Sequence, residues 1–131
     1  RLVTLLEEKG GGKLPLGTLD INLYRDDWTT LKDHPIIGTS YIPHDITNQD
    51  VLLVDDVLFS GRTVRAALGA LLDYGRPKRV ELLVLIDRGH RELPIQADYV
   101  GKYVQTEHNE QVMVLLNERD GEECVKKQVL Q

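Results

Sequence analysis

Val51-Leu52-Leu53-Val54-Asp55-Asp56-Val57-Leu58-Phe59-Ser60-Gly61-Arg62-Thr63 sets out, in order, an apolar run, two adjacent carboxylates and a loop of small residues. Five of its first seven residues are Val or Leu, which predicts a buried strand that stops at the acidic pair. Beyond it, Val64, Ala67, Leu68, Leu71 and Leu72 fall at i, i+3, i+4, i+7 and i+8, so the spacing predicts a helix with one face on a core. The local order is strand, acidic pair, glycine loop, helix.

That order suits a ligand with two chemically different ends. A helix start leaves several backbone N–H groups without partners and carries the positive end of the helix dipole, which favours an anion. Ser60-Gly61-Arg62-Thr63 can wrap a phosphate there. Gly61 permits close backbone approach, Ser60 and Thr63 add hydroxyl donors, and Arg62 adds charge. Asp55 and Asp56 would repel that phosphate, so they suit another part of the ligand, either sugar hydroxyls or a hard cation held through oxygen. A ribose 5-phosphate satisfies both ends.

Downstream, Gly75 and Pro77 stop the helix, and residues 80–86 are nearly all apolar, as expected of a strand buried on both faces. Strand, helix and strand in this order predict a right-handed parallel unit. In open α/β sheets ligands lie beyond the carboxyl ends of the strands, so Asp87-Arg88-Gly89-His90 is expected at the edge that carries Asp55 and Asp56. Residues 99–104 and 112–116 predict further strands, 117–122 a turn around Asp120-Gly121, and Val125, Val129 and Leu130 a last edge strand.

Upstream, Leu2, Leu5 and Leu6 repeat at helical spacing until Gly10-Gly11-Gly12. Leu19, Ile21 and Leu23 alternate with polar residues, predicting a strand over 16–23, and residues 36–42 predict a β segment stopped by Pro43. Between them, residues 28–35 are polar and without periodicity, which fits either a solvent loop or a flap that closes over substrate.

Residues 51–63 resemble the phosphoribosyl pyrophosphate (PRPP) motif of type I phosphoribosyltransferases. Three further blocks are similar to the branch of that family that joins uracil phosphoribosyl transfer to control of pyrimidine (pyr) operons. They are Leu19-Asp20-Ile21-Asn22-Leu23-Tyr24-Arg25-Asp26-Asp27, Gly75-Arg76-Pro77, and Asp87-Arg88-Gly89-His90-Arg91-Glu92-Leu93-Pro94-Ile95 with Ala97-Asp98-Tyr99-Val100-Gly101-Lys102. The four motifs stand in the family's order over roughly residues 15–116.

The resemblance implies an α/β protein with the type I phosphoribosyltransferase fold, a central, mostly parallel sheet flanked by helices. Residues 1–131 would form one such domain, begun partway, with the family's earlier strand and pyrophosphate loop missing from this sequence. It implies PRPP and uracil as substrates, UMP as product, and Mg²⁺ bound with PRPP. PRPP contacts fall on residues 54–63, with Asp55 and Asp56 on the ribose diol and, through PRPP, on the metal. Arg25 and Asp26 join Asp55 and Asp56 as catalytic candidates, on the closing flap. Asp87, Arg88 and Gly89 lie near uracil, whose edge either backbone groups or Arg88 would read. A homo-oligomer, dimer or tetramer, is also implied.

Arg88, Arg91 and Lys102 are the matching candidates for contact with a pyr mRNA leader. However, Gln96 stands where such proteins often carry arginine, and Glu107-His108-Asn109 replaces a more basic or serine-rich stretch. RNA affinity comes largely from positive charge on phosphates, so these changes weight the transferase reading above the reading as an attenuation regulator that uses UMP or PRPP only as effectors.

Composition agrees. A chain of 131 residues, 41% apolar and 28% charged, predicts one domain with a modest core. No apolar run approaches the ~20 residues that span a bilayer and no signal-peptide pattern opens the chain, so a cytoplasmic protein without membrane contact is expected. The net charge of −5 argues against a generally basic nucleic-acid coat. His34, His44, His90 and His108 lack metal-ligand spacing, and the lone Cys124 is expected as a small strand residue. No Gly-Lys-Ser/Thr ends a loop of the length a Walker-type nucleotide hydrolase needs.

Overall fold

The computed structural model of the chain describes residues 1–21 and 40–131. Its centre is a three-stranded parallel sheet, in the order β1 (Asp50–Leu58), β2 (Arg79–Asp87), β3 (Tyr99–Tyr103). Helix α2 (Arg62–Leu72) links β1 to β2, as the sequence predicts. β1 does not stop at the acidic pair: its ladder to β2 continues through Val57 opposite Ile86 and Leu58 opposite Asp87. Asp55 and Asp56 are therefore strand residues, which point to opposite faces because side chains alternate along a strand.

The core follows that alternation. Leu82, Val84 and Ile86 of β2 are buried, and Val64 and Leu68 of α2 pack with Leu58, Leu82 and Val84. Burying each such side chain contributes about 1.5–3 kcal/mol. The opposite side of β2 is not buried throughout, since Leu85 is 43% exposed. Only one face of this strand thus matches the two-sided burial expected of its apolar run. The helix stripe is also shifted: Val64, Ala66, Ala67, Ala70 and Leu71 are buried, while Leu72 is exposed.

The remaining strands form a separate unit. β4 (Glu110–Leu115) and β5 (Cys124–Val129) pair antiparallel, and Val112 and Val114 pack with Ile86 at the carboxyl end of β2. Between them the expected turn includes one helical turn, α3 (Asn117–Asp120), closed by Gly121 at φ 74°. Cys124 is half-buried in β5.

At the start, α1 (Leu2–Leu6) runs on through a wider turn over Glu7–Gly11, with Leu5 and Leu6 exposed. Of the two upstream β segments the described residues contain one antiparallel bridge, Thr18 with Tyr41. The other predictions there, including the 28–35 flap with Arg25 and Asp26 before it, lie outside the described residues. Among the described residues, no helix is long and apolar enough to cross a membrane.

Candidate active site

The chain turns from β1 into α2 through Phe59, Ser60 and Gly61. Gly61 takes φ 91°, a left-handed conformation that disfavours side chains, and a Cβ there would sit 3.0 Å from Ile95 Cβ. Only glycine meets both demands without strain. Gly61, at the N-cap, has no side chain with which to cap the helix, whose first backbone bond runs from the Arg65 N–H to the Gly61 carbonyl, 2.9 Å. Ser60 Oγ accepts from the Arg62 N–H at 3.2 Å. A helix N-terminus of this kind suits an anion.

These residues line a cleft of about 350 Å³ together with Asp55, Val57, Leu58, Val64 and Glu92. Asp55 is half-buried and faces it, whereas Asp56 is exposed and not among the described lining residues. Burial pushes the Asp55 carboxyl up to about 6; the neighbouring Asp56 charge acts in the same direction, and the Asp56 N–H donated to Asp55 Oδ1 at 2.9 Å opposes it. One wall of the cleft is thus a carboxylate with a raised proton affinity, and another is an amide-lined loop. Glu92 was not predicted. Its N–H donates to the Ser60 carbonyl at 2.9 Å, which brings it beside the loop, and its carboxylate lies 3.6 Å from Arg62 Nη2.

The second loop leaves β2 beside the first, as the register of Leu58 with Asp87 requires. The Arg88 N–H donates to the Leu58 carbonyl at 3.1 Å. Asp87 Oδ1 accepts the Gly89 N–H at 3.0 Å. The Arg88 side chain is buried rather than presented outward: its guanidinium carbon lies 4.0 Å over the Phe59 ring, and Nε donates to Thr106 Oγ1 at 3.3 Å. His90, at φ 65°, places Nε2 2.6 Å from the Thr106 carbonyl. A carbonyl only accepts, so Nε2 carries the proton. Its ring centroid lies 4.2 Å from that of His108, with the two rings tilted by 54°, a neighbour that sequence spacing does not reveal.

Of the basic residues expected at an RNA surface, Arg88 and Arg91 direct their guanidinium groups inward, whereas Lys102 on β3 is exposed. Among the described residues no group of three or more His, Cys, Asp or Glu side chains is arranged to hold a metal ion. The carboxylate of Asp55, which faces the cleft, is a hard oxygen donor that fits a Mg²⁺ taking most of its ligands from a phosphorylated substrate and water; Asp56, on the opposite face, does not line that space.

A parallel sheet with a phosphate-type loop and a carboxylate at its carboxyl edge defines a class, and the comparisons agree with it. Residues 1–117 match the family described as phosphoribosyl transferase domain, and the chain belongs to that family. Within it, the chain is 55% identical over 121 residues to the Bifunctional protein PyrR of Syntrophobacter fumaroxidans, covering 92% of this chain and 65% of that one. It is 57% identical to the protein of the same name from Caldicellulosiruptor bescii, covering 95% and 69%. A third, from Acetivibrio thermocellus, is 60% identical, covering 88% and 62%. The chain thus spans about two thirds of the length of these curated relatives. In fold it resembles a hypoxanthine phosphoribosyl transferase from Trypanosoma cruzi, with a TM-score of 0.53 at 23% identity over 71% of this chain and 47% of that one. A hypoxanthine-guanine phosphoribosyltransferase from Bacillus anthracis gives 0.52 at 22% identity, over 68% and 54%.

Proposed function

We propose that the protein transfers the phosphoribosyl group of PRPP to uracil, releasing pyrophosphate and forming UMP. The observation that carries this reading is the cleft in which Asp55 and the 60–63 loop at the start of α2 share one space. The 5-phosphate sits on the loop amides and the Ser60 and Thr63 hydroxyls, with Arg62 adding charge. Asp55, which faces the cleft, holds the ribose diol; Asp56, expected beside it, lies on the opposite face of β1 and is tested separately. In the reaction the bond from C1 to pyrophosphate breaks, the bond from uracil N1 to C1 forms, and the N1 proton leaves to solvent. Positive charge develops on the ribose as pyrophosphate departs, so no covalent nucleophile is required; positioning and charge stabilisation supply the catalysis. Mg²⁺ bound with PRPP neutralises the diphosphate. The Asp87–Gly89 loop lies on the base side, where its backbone reads the uracil edge. Arg25 and Asp26, the other catalytic candidates, lie outside the described residues.

The test is UMP formation from uracil and PRPP by the parent, Asp55→Asn and Asp56→Asn. Loss in the variants supports the assignment, and equal activity in all three removes it. A second reading, a regulator that binds a pyr mRNA leader, is favoured by the second role that the relatives' name, Bifunctional protein PyrR, denotes and by the exposure of Lys102. Filter binding to that leader at two salt concentrations tests it. Affinity that falls with salt supports the regulator, and no affinity counts against it.

A further inference from the structure

Arg91 holds three segments of the site at once. Its Nη1 donates to the Phe59 carbonyl at 2.7 Å, Nη2 to Asp87 Oδ2 at 2.5 Å and Nε to the Ile95 carbonyl at 2.8 Å. The side chain is 23% exposed and that of Asp87 only 8%. Directly beside this clamp, the N–H groups of Glu92 and Leu93 donate to the Ser60 carbonyl at 2.9 and 3.1 Å. Two successive carbonyls at the start of the phosphate loop are thus fastened onto residues 91–93. A trans peptide points its carbonyl and its N–H in opposite directions, so fastening these oxygens turns the Ser60 and Gly61 amides away from residues 91–93. It also removes two carbonyl dipoles that would oppose a bound anion.

We propose that Arg91 is a positioning residue that sets the phosphate loop against the base-side loop, so that the two halves of the substrate site are ordered as one unit. It rests on the phosphoribosyl-transfer reading for what the two loops hold. The role requires the planar, forked donor set of arginine. A lysine ammonium is a compact charge on a flexible stem and does not span three acceptors on three segments. This separates the proposal from a charge role, in which Arg91 meets an RNA or substrate phosphate and lysine substitutes well.

The experiment compares the parent with Arg91→Lys by circular dichroism, steady-state kinetics, and amide hydrogen exchange of residues 59–63 with and without ribose 5-phosphate. Arg91→Lys is expected to fold, to raise KM for PRPP and for uracil together by about tenfold, and to speed exchange at 60–63 by about the same factor. Parent-like KM values and parent-like exchange overturn the proposal, as does a defect confined to leader-RNA affinity. If the parent itself makes no UMP, the transfer reading fails, and the exchange rates at 60–63 alone decide for or against the clamp. If Arg91→Lys does not fold, Asp87→Asn, which keeps an acceptor oxygen but loses its charge, is measured in the same way and judged by the same two outcomes.

Discussion

In the cleft at the start of α2 every described lining residue except Glu92 comes from residues 55–64, whereas the loop after β2 is held by Thr106, Glu107 and Phe59, 16 to 32 positions away in sequence. One region is built from local chain geometry: a strand end, a glycine at positive φ and a helix start. The other depends on β3, the segment after it and the phosphate loop itself. Away from the Arg91 clamp that joins the two, variants in the first region should therefore change PRPP use more than use of the base. Variants in the second should cost stability and change the use of the base.

The largest expected effect is on the local side. Asp55→Asn keeps the shape of the side chain but removes the charge facing the cleft, and kcat/KM for UMP formation should fall roughly 10²–10³-fold, about 2.7–4 kcal/mol of transition-state stabilisation. Next, Gly61→Val places a branched side chain against Ile95 and on a left-handed backbone. It should destabilise the protein by about 1–3 kcal/mol in denaturant unfolding and raise KM for PRPP, leaving KM for uracil near the parent's. If both KM values rose equally, the separation between the two regions would be broken.

On the other side, Thr106 is buried, donates to the Arg88 carbonyl at 3.0 Å and accepts from Arg88 Nε. Thr106→Val keeps the volume but leaves a buried guanidinium donor without that partner. A loss of about 1–3 kcal/mol in unfolding free energy is expected, with KM for uracil raised more than KM for PRPP. The smallest effect concerns pH. Asp55 is held at about 6 in the folded protein, above the ordinary carboxylate value, so between pH of about 4 and about 6 the folded state binds more protons than the unfolded state. Stability contributed at that residue is present at the acid end and is lost as pH rises through about 6. Relative to Asp55→Asn, which does not titrate, the parent's Tm should decline over that interval and then level off.

The same contrast explains how much was legible in the sequence. The parallel β1–α2–β2 unit and the position of the 60–63 loop follow from residue periodicity and one glycine, all local. That β1 continues past Asp55 and Asp56 was hidden, because acidic residues mark a strand end by polarity while the ladder to β2 is indifferent to side chains. The base-side loop was placed correctly at the sheet edge, since strand order alone decides that. Its internal wiring was not visible. Arg88 reads in sequence as an exposed cation, and only the partners Phe59 and Thr106 turn it inward. His90 and His108, 18 positions apart, likewise meet only because β3 and the chain after it run alongside the loop.

The claim beneath all of this is that the cleft between Asp55 and the start of α2 receives a phosphorylated pentose. Titration of ribose 5-phosphate with Mg²⁺ into the isotopically labelled protein, followed by amide chemical shifts, addresses it directly. The account predicts saturable shifts concentrated at residues 55–64 and much weakened in Asp55→Asn. Shifts centred elsewhere in the chain, or the same affinity in parent and variant, would contradict it.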